Sequence, residues 1–341
     1  MLSLKLPRQL SINQVPKVFR EQGILFGYRH PRSSAADCLL SVFQMTNETL
    51  NIWTHFLPAW YFLWKLLSFS YSLDIWSDTY TWPFLIYMLT CCIYPFTSSC
   101  AHTFSTMSTQ ARHLCYFFDY GALSMYSLGS AIAYSAYTFP EEWIDSTFHR
   151  CYVPLAVLNT VVSTGLSCYS RFSEIQQPRL SKTLRMLAFV YPYLFDSTPL
   201  FYRLYLCTGE SCMESVIPIH YRHCVFAFLT GFIFASHLPE RLAPGRFDYI
   251  GHSHQLFHVC GIMGTHFQME AIFMDMNVRR DWLLAFSPLL SLSETVGSIG
   301  ISIIINLTII GVFSRALYST PKSTRLLQGK ALKAFSRVNH F

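Results

Sequence analysis

Long apolar runs separated by short charged segments dominate the hydrophobic pattern of the chain. Eight runs are poor in Asp, Glu, Lys and Arg, and the longest interval without any of the four covers residues 79–111. Each run is about as long as a helix needs to be to cross a ~30 Å hydrocarbon core at ~1.5 Å per residue. The predicted spans are residues 51–69, 82–103, 114–134, 152–170, 184–206, 223–238, 253–271 and 296–313.

The runs predict helices rather than strands, because apolar residues follow one another continuously instead of alternating with polar ones. We therefore expect an all-α, polytopic membrane helical bundle of seven core spans with an eighth at residues 296–313. Residues 1–48 are expected to form a cytoplasmic N-terminal segment, 49–314 the transmembrane bundle and 315–341 a basic cytoplasmic tail. Within the first segment, residues 15–26 are expected to lie on the bilayer as a short amphipathic stretch.

Composition and charge support a membrane protein. Apolar residues make up 52% of the 341 residues and charged residues 13%, whereas a soluble domain carries roughly 25% charged residues. This composition fits neither a disordered nor a nucleic-acid-binding protein, and we expect no nucleic-acid partner. With a cytoplasmic N-terminus, 19 of the 25 Lys and Arg fall in inner segments and five in outer ones. Because cytoplasmic loops collect basic residues, both termini are expected inside if the spans number eight.

Three histidines from two spans are predicted to hold a metal ion. The second span ends and the seventh begins on the cytoplasmic side, so His102, His254 and His258 reach one depth. His254 and His258 are four residues apart and share a helix face, with Cβ atoms roughly 5–6 Å apart. Three imidazoles leave a fourth zinc position open for water. Imidazole also suits copper, iron and nickel, and we place zinc first.

Two more polar side chains are predicted at the same depth as these histidines. Ser98 lies one helical turn before the first of them, and Asp119 lies near the inner start of the third span. Asp119 is expected to hold and deprotonate a water on the ion, or to orient a ligand. The alternative for Ser98 is a hydrogen bond from its hydroxyl to a carbonyl group of its own helix.

Two other histidines nearby are interpreted as structural. His252 is rotated away from the seventh-span pair on the same helix, so it is not expected to join their ion. His55, together with Glu48 and Asn51, is expected to fasten the first span by hydrogen bonds at the membrane interface. Neither is therefore assigned to the metal.

Five segments give the chain a resemblance to the progestin and adipoQ receptor family. Within that family it resembles the membrane progestin receptor branch, and most closely the gamma subtype. The resemblance covers the chain from about Pro16 to the eighth span, and that branch is expected to have the eighth span. The segments are QMTNETLNIWTH at residues 44–55, SxxxH at 98–102, FDYG at 118–121, SHLPERLAPGRFD at 236–248 and SHQxxH at 253–258.

The resemblance implies a zinc held by His102, His254 and His258, with Asp119 on the zinc-bound water and Ser98 beside it. It also implies a plasma-membrane receptor for a progesterone-type steroid that signals to intracellular partners, G proteins among them. Similarity to the adiponectin receptors and alkaline ceramidases implies a different function, zinc-dependent cleavage of the amide of a sphingolipid such as ceramide. In that reaction Asp119 accepts a proton and Ser98 supports the oxyanion. A zinc that only clamps the helices together remains a third hypothesis.

Two further features belong to the fifth span and the loop after it. Asp196 lies within the span, where a bare charge is costly, so we expect it to be neutral, paired or in contact with water. A protonated Asp196 is predicted to donate a hydrogen bond to a steroid ketone, and the alternative is a bond to a Ser, Thr or Tyr of a neighbouring helix. Cys207 and Cys212 fall outside the membrane and are candidates for a disulfide.

Overall fold

The fold is helical throughout the part of the chain that the structure, a computed structural model, describes. That part comprises residues 8–73, 77–174, 177–207, 215–287 and 290–319. Outside the helices it contains one isolated β-bridge, between Leu10 and Tyr28. The α-helices are α1 (Ala35–Leu40), α2 (Thr49–Ser72), α3 (Trp82–Phe104), α4 (Thr109–Ala133), α5 (Thr147–Ser173), α6 (Pro178–Asp196), α7 (Thr198–Leu206), α8 (Ile217–Ser236), α9 (Ser253–Val278), α10 (Arg280–Phe286) and α11 (Ser298–Ser319).

The predicted spans all fall on helices of this set. Within the described ranges, four helical segments are long and apolar enough to cross a membrane: Thr79–Phe104, Thr147–Ser173, Ile217–Ser236 and Ser293–Ser319. The chain is thus an all-helical, multi-pass membrane protein. The total of seven or eight crossings and the cytoplasmic position of both termini stay predictions.

The fifth predicted span is two helices rather than one. α6 ends at Asp196 and α7 begins at Thr198, with Ser197 between them. Pro199 explains the break, because a proline ring clashes with the carbonyl four residues before it and provides no N–H for the helix. The predicted single helix over residues 184–206 is therefore wrong at this point, and the interruption places Asp196 at a helix end.

Helix packing follows the chain order around the bundle. α2 packs on α3, α3 on α4, α4 on α5 and α5 on α6, while α9 packs on both α8 and α2. The eighth long helix, α11, lies against α4 and α5. This arrangement sets the C-terminal end of α3 beside the N-terminal ends of α2 and α9, where the predicted metal ligands are found.

The N-terminal segment has a small hydrophobic core of its own. Val15, Phe19, Ile24 and Tyr28 are buried against one another. Residues 15–26 were expected to lay an apolar face on the bilayer, and that prediction is wrong because their apolar side chains face each other instead. A local core satisfies these side chains without lipid.

Two sequence predictions reach beyond the described residues. α11 continues to Ser319, past the predicted start of the tail at residue 315, and the remainder of the tail lies outside the described part. Cys207 is disulfide-bonded. Its predicted partner, Cys212, also lies outside the described part, so the pairing of these two cysteines stays a prediction.

Candidate metal centre

The structure brings the three predicted imidazoles together at one end of the bundle. His102 comes from the last turn of α3, and His254 and His258 come from the first two turns of α9. Their ligand atoms all lie within 4.8 Å of one another. The Nε2 atoms of His102 and His254 are 3.1 Å apart. Zinc–nitrogen bonds of about 2.0–2.1 Å in a tetrahedral site place two ligand nitrogens about 3.3 Å apart, so the donor set fits a zinc ion.

Glu48 orients the first of these imidazoles. Its Oε2 lies 2.8 Å from His102 Nδ1, and both side chains are buried. A carboxylate accepts hydrogen bonds, so the proton belongs on Nδ1 and the Nε2 lone pair faces the other histidines. Asn51 Nδ2 donates to the same oxygen at 2.8 Å and holds the carboxylate in place. Sequence analysis assigned Glu48 to fastening the first span and missed this contact with the α3 histidine.

The start of α2 orients His258 as well. Its Nδ1 lies 3.2 Å from the Asn51 carbonyl and 3.1 Å from Thr54 Oγ1. Because a carbonyl oxygen only accepts, Nδ1 carries the proton and Nε2 is left with a lone pair. The first turn of α2 and the residue before it, Glu48, therefore fix the tautomers of two imidazoles without contributing a ligand.

His55 belongs to the histidine cluster through its ring face. It is buried and stacks on His258, with ring centroids 3.7 Å apart and an interplanar angle of 11°. Its Nδ1 has no hydrogen-bond partner in the part of the chain that the structure describes. The prediction that His55 fastens the first span by hydrogen bonds is therefore wrong. The ring acts by packing instead, because its stack on His258 limits the orientation of that imidazole.

His252 lies outside the cluster, in agreement with its structural interpretation. It precedes α9 directly, and its Nε2 lies 3.2 Å from the Asn47 carbonyl. Burial lowers the pKa of His252 below the ordinary histidine value, so the ring is neutral near pH 7. The contact ties the start of α9 to the loop before α2.

Asp119 and Ser98 flank the three imidazoles. Ser98 is buried on α3, one turn before His102, and Asp119 is part-buried on α4. Packing of α4 on α3 brings the Asp119 carboxylate near Ser98 and His102, and it makes no hydrogen bond to either residue in the described part of the chain. The ligand atoms that lie within 4.8 Å of one another belong to the three imidazoles and do not include an Asp119 oxygen. The Asp119 carboxylate can accept a proton or a hydrogen bond there.

Asp196 lies elsewhere in the bundle. It is buried at the end of α6, and Ser127 on α4 donates a hydrogen bond to its Oδ2. Tyr152 on α5 donates to its backbone carbonyl. Its Oδ1 has no partner among the described residues. None of these hydrogen-bond partners belongs to the histidine cluster, so the structure does not bring Asp196 to the predicted metal ligands.

Two buried polar groups on α9 were missed by sequence analysis. Asp275 is fully buried and accepts hydrogen bonds from Arg203 at 2.8 Å, from His220 at 2.9 Å and from Thr138 at 3.1 Å. Its partners lie 55 to 137 residues away in sequence, and spacing along one helix does not reveal such pairs. The one sequence signal for this site was the carboxylate of Asp275 among apolar residues.

The second missed group, Gln268, joins three helices in the middle of the bundle. Tyr87 on α3 and Tyr126 on α4 donate to its Oε1, and its Nε2 donates to Tyr134 at 2.7 Å. Thr265, one turn earlier on α9, bonds both Tyr126 and Tyr94. Polar groups of α9 are thus paired along the helix between the histidines and Asp275.

Comparison with known proteins identifies the family of the chain. The family model described as haemolysin-III related matches residues 43–269. The chain belongs to the haemolysin-III-related family. The matched interval includes Glu48, the three imidazoles, Ser98, Asp119 and Asp196, whereas α11 lies outside it.

Relatives in this family match nearly the whole chain. Membrane progestin receptor gamma-B of Danio rerio is 60% identical over 343 residues, covering 95% of this chain and 99% of the relative. Membrane progestin receptor gamma of Homo sapiens is 62% identical over 322 residues, covering 94% and 98%. Membrane progestin receptor delta of Homo sapiens is 57% identical over 336 residues, covering 98% of each. The resemblance seen in the sequence motifs is confirmed.

Proposed function

We propose that this haemolysin-III-related protein is a plasma-membrane receptor for a progesterone-type steroid, with a zinc ion held by His102, His254 and His258. The observation that carries the proposal is identity of about 60% over nearly the full length to proteins named membrane progestin receptor gamma. A steroid is apolar enough to reach a bundle from the bilayer, and its binding would shift the helix arrangement that intracellular partners, including G proteins, contact.

The zinc part of the proposal rests on the protonation of the cluster. With Nδ1 protonated on His102 and His258, the Nε2 lone pair of each ring is free to face the third imidazole, that of His254. A bound cation would accept these lone pairs, together with that of His254, whose Nε2 lies 3.1 Å from His102 Nε2. We propose zinc as the ion rather than copper, iron or nickel because three imidazole nitrogens are a common ligand set for zinc.

A zinc-dependent amide hydrolase acting on a ceramide is the second candidate function. The observation in its favour is the Asp119 carboxylate, which lies near His102 and Ser98. Bound zinc would supply an acidified water. Asp119 would accept the proton, and the Ser98 hydroxyl would donate a hydrogen bond to the developing oxyanion. A purely structural zinc needs the same three ligands and neither of these two residues.

Two assays on zinc-loaded protein in lipid nanodiscs separate the candidates. We expect the wild type to bind labelled progesterone saturably, to release it to excess unlabelled steroid and to leave a labelled ceramide intact. A His102→Ala/His254→Ala variant provides the background in both assays. If the wild type instead cleaves ceramide, and Asp119→Ala retains zinc but loses the cleavage, the hydrolase is correct and the receptor proposal fails.

The Asp196 carboxyl is proposed to donate a hydrogen bond to a steroid ketone. Its Oδ1 is buried and without a partner among the described residues, which supports the proposal. Asp196→Asn keeps a donor, so we expect its progesterone Kd to stay within about threefold of wild type. Asp196→Leu removes the donor and is expected to weaken binding by about tenfold, or ~1.4 kcal/mol.

Ser127→Ala is the matched control for Asp196, because it removes the donor to Oδ2 and leaves Oδ1 unchanged. Its progesterone Kd should resemble that of wild type, measured by equilibrium binding in the same nanodiscs. Wild-type affinity in a folded Asp196→Leu variant would mean that the carboxyl serves only the contact between α6 and α4.

A further inference from the structure

Four apolar side chains are exposed just before α2. Leu39 is 54% exposed, Leu40 38%, Phe43 79% and Met45 45%, and we call these four residues the 39–45 patch. Leu39 and Leu40 end α1, Phe43 ends the turn of 3-10 helix Ser41–Phe43 that follows it, and Met45 lies in the connection to α2. A contiguous set of large apolar side chains on the surface marks an interaction site.

The opposite side of this segment is fixed to the bundle. Cys38 is fully buried, and its Sγ lies 3.4 Å from Thr106 Oγ1, just past the end of α3. Trp53, in the second turn of α2, donates from its indole Nε1 to the Val42 carbonyl at 3.0 Å. The segment therefore lies against the ends of both helices, and its 39–45 patch faces away from them.

The patch is continuous with the exposed face of α2. The rings of Phe43 and Trp53 are 6.0 Å apart, those of Trp53 and Phe56 5.6 Å and those of Phe56 and Trp60 6.3 Å. Trp60 is 57% and Trp64 60% exposed. In a multi-pass membrane protein, large apolar side chains on the outside of a long helix face lipid, so one aromatic stripe connects the lipid-facing surface to the patch.

We propose that residues 35–45 lie in the plane of the membrane, with the 39–45 patch inserted among the phospholipid acyl chains of the leaflet nearest the histidine cluster. The occupant of this surface is lipid rather than protein, because the surface continues the exposed aromatic face of α2, a predicted membrane span. Trp53 has the position of an interfacial tryptophan, with an apolar body in the stripe and its N–H on a backbone carbonyl. This anchor replaces the one that sequence analysis placed at residues 15–26.

The anchor is joined to a predicted metal ligand through one guanidinium group. Arg29 Nη1 donates to Ser41 Oγ at 3.1 Å and to the Thr103 carbonyl at 2.7 Å, and its Nη2 donates to the His102 carbonyl at 2.5 Å. Arg29 and Ser41 are both buried. The depth of the lipid-inserted segment is thereby coupled to the end of α3 that carries His102.

Photo-crosslinking in phosphatidylcholine–phosphatidylserine nanodiscs tests the anchor without disrupting the fold. A benzoylphenylalanine replaces Phe43, which it closely resembles, and the adducts are identified by mass spectrometry. The same probe at Trp60 reports a lipid-facing position, and at the exposed Lys17 it reports a position outside the patch. We expect phospholipid adducts at position 43 with a yield similar to position 60 and at least about tenfold above position 17.

Two results would overturn the proposal. A phospholipid yield at position 43 no higher than at position 17 would show that the patch is not inserted in lipid. A crosslink from position 43 to a second copy of the chain, in place of phospholipid, would make the patch a protein–protein interface. Neither result bears on zinc or steroid binding, so the anchor and the proposed receptor function can fail separately.

Discussion

Replacement of Asp275 by alanine is expected to destabilise the folded protein by roughly 3–5 kcal/mol, the largest stability effect that we predict for a single side chain. The carboxylate is fully buried and accepts hydrogen bonds from Arg203 and His220. Arg203 is itself largely buried, with 13% of its side chain exposed. Removal of the Asp275 carboxylate takes away the buried counter-charge of Arg203 and the hydrogen-bond acceptor of His220 and Thr138.

Thermal unfolding in detergent measures this effect, with Asp281→Ala as the matched control. Asp281 is an exposed carboxylate six residues further along, on α10, so its loss should change the melting temperature little. Asp275→Asn should fall between wild type and Asp275→Ala, because an amide oxygen still accepts from His220 but carries no charge. Equal melting temperatures for Asp275→Ala and Asp281→Ala would refute a stabilising role for this carboxylate.

Replacement of Glu48 by alanine is expected to weaken zinc binding by about 10- to 100-fold, although Glu48 is not a ligand. The carboxylate holds the proton of His102 on Nδ1, 2.8 Å away, and keeps Nε2 directed at the other two imidazoles. Without it the ring can rotate or change tautomer, so part of the binding energy is spent on ordering the imidazole. Glu48→Gln keeps an acceptor and should lose less affinity.

Competition with a chromophoric chelator gives the zinc affinity of each Glu48 variant. Glu142→Ala, which removes an exposed carboxylate from the segment between α4 and α5, is the control for a change in net charge. It should bind zinc as wild type does. A folded Glu48→Ala protein with wild-type zinc affinity would mean that His102 needs no help from Glu48 to face the ion.

The parts of the fold that could be predicted from the sequence are those that depend on local pattern. A membrane helix has apolar surroundings, lipid or other helices, along its whole length. Apolar runs in the sequence therefore predicted the positions of α2 to α9 and α11, in most cases within a few residues. The pair His254 and His258 follows from helix geometry alone. Their approach to His102 followed from topology, because consecutive spans alternate in direction.

What could not be predicted depends on contacts between residues far apart in the chain. Glu48 and His102 are 54 residues apart, and no spacing rule relates them. The stack of His55 on His258 needs the exact rotation of α2 against α9, which periodicity does not determine. The apolar side chains of residues 15–28 pack against one another in a small core. An amphipathic sequence pattern is compatible with such a core and with membrane binding, and it cannot distinguish between the two.

Metal content per chain tests the central claim most directly, that three imidazoles from α3 and α9 hold one ion. The measurement is elemental analysis of folded, steroid-binding protein purified without added metal or chelator, for wild type and for His258→Ala. We predict one zinc ion per chain in the wild type and a clearly substoichiometric amount in the variant. Wild-type protein that binds steroid but contains no stoichiometric metal, or equal zinc in both proteins, would contradict the account.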